Sequence, residues 1–240
     1  MTQEALEKKR GIPDIVFLLD TSGSMAKCLK ALTNNIGSFV DTLTTPDANG
    51  GIVIKDWRIR VVGYRDREAD GSQWLVDQPF VGDVAQAKSQ LDALEAMGGG
   101  DEPESLLDAL YTLTQWSASE RGQPPQANGW RHRSDARRVV VVFTDASCKP
   151  SFRAADDSTG SYDDLINKCN EARLKLCLFA PETEGYMRLE EMNGCEYDNL
   201  GPLEGAPEAL EAYSANPANF KKVMAQLAKT ISTASVATSL

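Results

Sequence analysis

The sequence has few of the residues on which soft-metal sites and nucleophilic catalysis depend. Its 240 residues include one histidine and five cysteines, and no two cysteines form a Cys-x-x-Cys pair. A zinc site of the His/Cys type is therefore not expected, and a Ser-His-Asp set would have only His132 to use. An odd number of cysteines without such pairs favours a reduced, cytoplasmic protein.

Long apolar runs and nucleotide-binding motifs are also missing. No apolar stretch approaches the length of a membrane span, and the opening MTQEALEKKR does not resemble a signal peptide. There is no GxxxxGK[ST], and no GxGxxG follows the first predicted strand. With 25 basic and 35 acidic residues, the net charge of -10 opposes binding to nucleic acid or to an anionic membrane.

Basic residues are dense in one place only. This stretch contains Arg131, His132, Arg133, Arg137 and Arg138. We interpret it as a solvated loop that precedes a strand. The alternative is a docking patch for an acidic partner.

Strand and helix patterns alternate along nearly the whole chain. Continuous apolar runs at 14–20 and 139–144 have the length and composition of strands buried on both faces. Residues 74–81 suggest a short antiparallel edge strand. Helical patterns are predicted at 25–43, 83–97, 103–117, 161–173, 186–192 and 217–233. This order predicts an α/β fold: a doubly wound, mostly parallel, Rossmann-like sheet with one antiparallel edge strand and helices on both faces.

The same patterns predict a single domain at 13–235. A polar lead-in at 1–12 precedes it, and a frayed tail at 236–240 follows it.

Two of the predicted strands end on aspartate, at Asp20 and Asp145. In doubly wound folds, ligands bind beyond the carboxyl ends of the strands. The first strand continues as Asp20-Thr-Ser22-Gly-Ser24, and in an extended turn these alternate side chains point the same way. One carboxylate and two hydroxyls are hard oxygen ligands, which suit Mg²⁺ or Mn²⁺. A glycine-rich loop at 98–104 is expected at the same edge.

These residues resemble a known family. Asp20-x-Ser22-x-Ser24 after a buried first strand is similar to the metal-ion-dependent adhesion site of von Willebrand factor type A (vWA) domains, and Val-Val-Phe-Thr-Asp145 is similar to the family's later strand and distal aspartate. The resemblance extends over about 13–233. It implies a metal held by the DxSxS residues, by a threonine from the glycine-rich loop, and by the distal aspartate directly or through water. It also implies a protein partner, whose acidic side chain often completes the coordination.

The sequence departs from that pattern at the threonine, where Asp101 stands instead. The Gly-Gly-Gly-Asp-x-Pro-Glu loop, together with Gly63-Tyr-Arg-Asp66, resembles a subgroup of intracellular vWA domains that includes those attached to atypical kinases. With Asp101 as a ligand, Asp20, Asp101 and Asp145 would set three negative charges against one dication. We therefore expect tight metal binding and weak attraction of a partner carboxylate.

Simpler roles remain open for these side chains. Asp20 and Asp145 could bond only to backbone N–H groups, and Ser22 and Ser24 could be ordinary turn residues. Asp101 could be a helix N-cap, with Glu104 completing a capping box.

Residues beside the site also have simpler interpretations. Asp66 could lie near the rim of the site, but we favour its pairing in solvent with Arg65 or Arg67. The four tryptophans are interpreted as packing residues.

The sequence favours a binding function over catalysis. Phosphatases of the haloacid-dehalogenase type also bind Mg²⁺ near an aspartate that follows the first strand, but they need a second acid where this chain has Ser22. No base is evident to activate Ser22 or Ser24. We predict a non-enzymatic domain that binds a protein partner through its metal face, flanked by the loops 118–136 and 146–160. The alternative is a structural subunit whose metal only stabilises its loops.

Overall fold

The computed structural model describes residues 12–43, 56–100, 102–216 and 218–219. The strands, numbered in chain order, are β1 (Pro13–Asp20), β2 (Arg58–Tyr64), β3 (Leu75–Asp77), β4 (Arg137–Phe143), β5 (Phe152–Arg153), β6 (Thr159–Gly160), β7 (Leu174–Glu182) and β8 (Cys195–Pro202). The α-helices are α1 (Leu29–Leu43), α2 (Val84–Asp92), α3 (Leu106–Gln115), α4 (Tyr162–Glu171), α5 (Glu184–Glu190) and α6 (Ala206–Ala215). Two 3₁₀ turns cover Gly23–Lys27 and Gly71–Gln73.

Six strands form one sheet in the order β3-β2-β1-β4-β7-β8, and β5 and β6 form a separate hairpin. All neighbours in the large sheet are parallel except β2 and β3. This confirms the predicted fold class. β1 lies inside the sheet, and every one of its residues is buried because helices cover both faces.

Alternate residues of β1 point into two separate hydrophobic layers. Phe17 and Leu19 pack with α1, α2 and α6 on one face. Val16 and Leu18 pack with α3, α4 and α5 on the other face. Successive side chains of a strand point to opposite faces of the sheet, so they enter different layers. Because helices cover both faces, the sequence of β1 is apolar throughout.

Several helix boundaries differ from the predictions. The helix predicted at 83–97 ends at Asp92, although Asp83 does cap it by accepting a hydrogen bond from the Gln86 N–H. The helix predicted at 103–117 begins at Leu106, so Pro103 is not in its first turn. α6 was not predicted; its short sequence has a single fully buried leucine, Leu210. The helix predicted at 217–233 lies almost wholly outside the described residues.

The segment between α3 and β4 lies at the amino-terminal end of the strands, opposite the predicted metal face. Arg58, at the start of β2, donates hydrogen bonds to the backbone carbonyls of Gln126 and Gly129. The prediction that 118–136 flanks the metal face is therefore wrong. α3 begins at the carboxyl edge and runs to the other end of the sheet, so the chain that follows it starts there.

The basic stretch in this segment is not simply a solvated loop. Asp14, which is fully buried, accepts hydrogen bonds from Arg58 at 2.6 and 2.9 Å and from the Arg131 backbone N–H at 2.7 Å. Arg138 is also buried and donates to the carbonyls of Ala172 and Arg131. These arginines attach the segment to the sheet, while Arg133 is exposed.

All five cysteines are free thiols. Trp116 and Trp130 pack against Phe80, in agreement with a packing role. Among the described residues, no helix is both long enough and apolar enough to cross a bilayer.

Candidate metal site

Asp20 ends β1 at the carboxyl edge of the sheet, and its side chain is fully buried. Its Oδ1 accepts a hydrogen bond from the Ser22 backbone N–H at 2.8 Å. Its Oδ2 accepts one from the Thr144 hydroxyl at 2.7 Å. Thr144 directly follows β4, the strand paired with β1, so two adjacent strand ends fix the orientation of this carboxylate.

Two serine hydroxyls join this turn to Asp145. Ser24 Oγ donates to Asp145 Oδ1 at 2.9 Å, and Ser22 Oγ lies 3.1 Å from Ser24 Oγ. The structure therefore brings together Asp20, Ser22, Ser24 and Asp145, and Met25 lies fully buried behind them.

The glycine-rich loop passes directly over this group. The Gly23 N–H donates to the Gly98 carbonyl at 3.1 Å. Gly99 has a φ of 91°, and a Cβ on it would lie 2.6 Å from Ser22 Cβ and 2.5 Å from Glu104 Oε1. Only glycine permits both this backbone conformation and this close approach. Asp101, the predicted ligand from the same loop, lies outside the described residues.

Glu104 is the site residue that the sequence interpretation missed. Its side chain is buried, and its Oε2 has no hydrogen-bond partner. It does not complete a capping box, because Ser105 is the N-cap residue of α3 and the Ser105 hydroxyl accepts a hydrogen bond from the Arg67 N–H. The available signal was a second acid three residues after Asp101 in a loop already assigned to the site.

The backbone of Glu104 is anchored to the chain that follows Asp145. The Glu104 N–H donates to the Ser147 carbonyl at 3.0 Å, and the Lys149 N–H donates to the Glu104 carbonyl at 2.9 Å. The prediction that 146–160 borders this edge agrees with these contacts. Lys149 also pairs with Asp66 at 2.7 Å, so the interpretation of Asp66 as a solvated partner of Arg65 or Arg67 was wrong.

Burial and repulsion by nearby acids raise the pKa values of Asp20, Glu104 and Asp145. Burial, followed by the charge of Asp145, raises the pKa of Asp20 to about 6. Burial, followed by the charges of Asp20 and other nearby acids, raises the pKa of Glu104 to about 9. Burial is also the main cause of the raised pKa of Asp145.

These side chains fit a hard divalent cation. Within the described part of the chain, no lysine or arginine forms an ion pair with Asp20, Glu104 or Asp145, and Asp145 Oδ2 is a second buried oxygen without a hydrogen-bond partner. Buried carboxylates are costly unless a cation or a donor compensates them. No three His, Cys, Asp or Glu side chains among the described residues could hold a metal without other groups, so a cation here would also need the serine oxygens.

Comparisons with known proteins agree with this architecture. The sequence profile described as "von Willebrand factor type A domain" matches residues 14–200. No curated protein sequence matches the chain significantly.

Many solved structures have a similar fold, and two proteins serve as examples. Proximal thread matrix protein 1 from the mussel byssus is 15% identical, with a TM-score of 0.55 over 88% of this chain and 49% of that protein. A von Willebrand factor type A protein from Catenulispora acidiphila is 14% identical, with a TM-score of 0.50 over 86% of this chain and 43% of that one.

One further structure of the mussel protein is described as having a zinc-occupied MIDAS motif, the metal-ion-dependent adhesion site. It is 14% identical, with a TM-score of 0.53 over 88% of this chain and 49% of that protein. This chain thus spans less than half the length of these structural relatives. Because the family profile matches most of the sequence and the fold agrees with it, the chain belongs to the von Willebrand factor type A domain family.

Proposed function

We propose that this protein is a metal-dependent protein-binding domain that holds a divalent cation with Asp20, Ser22 and Ser24 and recognises a protein partner through that face. The observation that carries this proposal is the hydrogen-bonded group of Asp20, Ser22, Ser24 and Asp145, which leaves a buried Asp145 oxygen without a partner. The bound cation would present an open coordination position to an oxygen atom of the partner.

The proposed ligand set extends to the glycine-rich loop. Glu104 has an unpartnered buried oxygen beside Gly99, which makes it a ligand candidate together with Asp101. Oxygen ligands of this kind favour Mg²⁺ or Mn²⁺. The zinc-occupied relative makes Zn²⁺ the competitor to test alongside them.

We also propose that the domain is cytoplasmic and belongs to the subgroup suggested by its GGGDxPE loop. Asp20, Asp101 and Asp145 would set three negative charges against one dication, so a partner carboxylate is attracted weakly and a neutral oxygen is preferred. Asp101→Thr should then increase the affinity for an acidic ligand in the presence of Mg²⁺. A variant without such a gain would contradict this part of the proposal.

Thermal unfolding with Mg²⁺, Mn²⁺, Zn²⁺ or EDTA tests the site. A cation that binds only the folded protein stabilises it by about 2.7 kcal/mol at a hundredfold excess over Kd. Ser24→Ala and Asp20→Ala should reduce or abolish the increase in Tm. Ser38→Ala, which removes an exposed hydroxyl in α1, should keep it. The same shift in all variants, or no shift with any metal, would contradict the proposed site.

A structural subunit is the alternative. In that case metal removal would prevent folding or assembly, and the metal face would contribute nothing to partner affinity. Affinity capture with the folded domain in Mg²⁺ and in EDTA separates the two, because the binding function requires a partner that dissociates when the cation is removed.

We further propose that the chain is not an enzyme. Ser22 is two residues after Asp20, where a phosphatase of the haloacid-dehalogenase type needs an acid. The only histidine, His132, lies in the segment at the opposite end of the sheet, with its Nδ1 2.8 Å from Ser134 Oγ. Hydrolysis of p-nitrophenyl phosphate in Mg²⁺ that is lost in Asp20→Asn would overturn this.

A further inference from the structure

A cavity lies beside the proposed metal face and is bordered by positively charged side chains. Its volume is about 120 Å³, and Arg67, Lys149 and Arg153 are among the residues that line it. Two hydrogen bonds from backbone N–H groups connect it to the metal face. The Lys149 N–H donates to the Glu104 carbonyl, and the Arg67 N–H donates to the Ser105 hydroxyl.

Two of the three cations have buried acidic partners. Arg67 donates to Asp108 Oδ1 at 2.7 Å, and Lys149 donates to Asp66 Oδ1 at 2.7 Å. Asp66 and Asp108 are both buried, so these pairs are part of the folded framework. Within the described ranges the Arg153 guanidinium has no buried acidic partner, and it forms an ion pair with Glu68 at 3.8 Å.

Glu68 spans the mouth of this cavity. One of its carboxylate oxygens accepts a hydrogen bond from Lys149 at 2.9 Å, and the other faces Arg153. Its side chain is 70% exposed, in contrast to the buried acids beneath it. Exposed ion pairs of this kind contribute little to stability, because water and salt compete for both charges. Glu68 can therefore leave these two cations at little cost.

We propose that this cavity binds an acidic side chain of a protein partner, and that Glu68 is an intramolecular occupant which the partner's carboxylate displaces. The cations already bind a carboxylate carried on a side chain, which favours Glu or Asp of a partner as the occupant. The exchange preserves charge balance, because one carboxylate replaces another while Arg67 and Lys149 keep their buried partners. The assignment of this cavity to the surface that contacts the partner rests on the proposed function. The affinity of the cavity for carboxylates does not depend on that function.

A fluorescently labelled hexaglutamate peptide in low-salt buffer with EDTA tests the cavity independently of the metal. Glu68→Gln removes the internal competitor and should tighten peptide binding roughly two- to fivefold, the range for an exposed ion pair. Arg153→Gln should weaken peptide binding by a similar factor. Combined with Glu68→Gln in a double variant, it should remove most of the affinity that Glu68→Gln alone gains.

Matched controls are available in the segment at the other end of the sheet. Glu120→Gln and Arg121→Gln make the same changes in net charge at exposed positions. The proposal is overturned if Glu68→Gln binds no tighter than Glu120→Gln, if Arg153→Gln binds no weaker than Arg121→Gln, or if neither wild type nor Glu68→Gln binds the peptide. Because EDTA is present throughout, failure of the metal site would not affect this result.

Discussion

At the scale of single residues, the site depends on a hydroxyl outside the DxSxS motif. Thr144 bonds to Asp20 Oδ2 at 2.7 Å and accepts a hydrogen bond from the Ala146 N–H at 3.2 Å. It therefore holds the carboxylate through Oδ2, while the Ser22 N–H bonds to Oδ1. Residues that hold a metal ligand in place by hydrogen bonding commonly affect metal affinity nearly as much as the ligands do.

Thr144→Val should therefore weaken binding of Mg²⁺ or Mn²⁺ by about 10- to 100-fold while preserving side-chain shape. It should also cost about 1–3 kcal/mol of folding stability, because a buried carboxylate oxygen loses its donor. Titration calorimetry with Mn²⁺ and urea unfolding measure the two effects. Thr112→Val, which removes a hydroxyl bonded within α3, is the control, and equal metal affinity in both variants would contradict the role of Thr144.

The raised pKa values of Asp20 and Glu104 predict an unusual pH dependence of stability in EDTA. In the folded protein these groups bind protons up to about pH 6 and about pH 9, against ordinary values of 3.8 and 4.5. Between those limits the folded state binds more protons than the unfolded state, so the free energy of unfolding falls as pH rises.

Urea unfolding in EDTA from pH 5 to pH 9 measures this dependence. The amide side chain of Glu104→Gln cannot ionise, so this variant should show a flatter dependence of the unfolding free energy on pH above pH 6. Replacing EDTA with saturating Mg²⁺ should also flatten the wild-type dependence, because the cation stabilises the ionised carboxylates. Glu120→Gln, at an exposed position, should follow wild type. A wild-type curve that rises over this range, or a Glu104→Gln curve as steep as wild type, would contradict the burial of this carboxyl.

At the scale of elements, the glycine-rich loop matters because of how closely it approaches the first turn. Gly99 and Gly201 both have positive φ, at 91° and 107°. A Cβ on Gly99 would collide with Ser22 and Glu104, whereas a Cβ on Gly201 would have no atom within 4 Å. The two positions therefore share the backbone strain of a non-glycine residue but differ in steric contact.

The backbone strain of alanine at a positive φ should lower the free energy of unfolding in EDTA by about 1–2 kcal/mol in both Gly99→Ala and Gly201→Ala. Only Gly99→Ala should also lose the increase in Tm on adding Mg²⁺, because its Cβ displaces Ser22 and Glu104. Differential scanning calorimetry with and without Mg²⁺ makes the comparison. A normal metal response in Gly99→Ala would mean that the loop does not set the site geometry.

At the scale of the whole molecule, the proposed metal site is separate from the hydrophobic core. The two core layers lie on the faces of the sheet, and the site lies beyond its carboxyl edge. Metal removal should therefore lower Tm while leaving the far-ultraviolet circular dichroism spectrum and cooperative unfolding unchanged. Loss of the spectrum in EDTA at low temperature would favour the structural-subunit alternative.

The sequence by itself determined the sheet and the first half of the site. A strand buried on two faces is apolar throughout, as in β1, and the DxSxS spacing after it places Asp20, Ser22 and Ser24 in one short turn. Their final orientation also depends on distant residues, because Thr144 bonds to Asp20 and Asp145 to Ser24. The fold class followed from the alternation of such strands with amphipathic helices.

Only the tertiary structure decided which distant segments meet. Glu104 has the spacing of an ordinary capping residue, and nothing local distinguishes it from one. Its role depends on where α3 begins and on the backbone pairing with the chain after Asp145. In the same way, the arginines around 131–138 have the composition of a solvated loop, but Arg131 pairs with the buried Asp14 and Arg138 is itself buried. The partners of a charged side chain are set by long-range packing, which its neighbours in sequence do not specify.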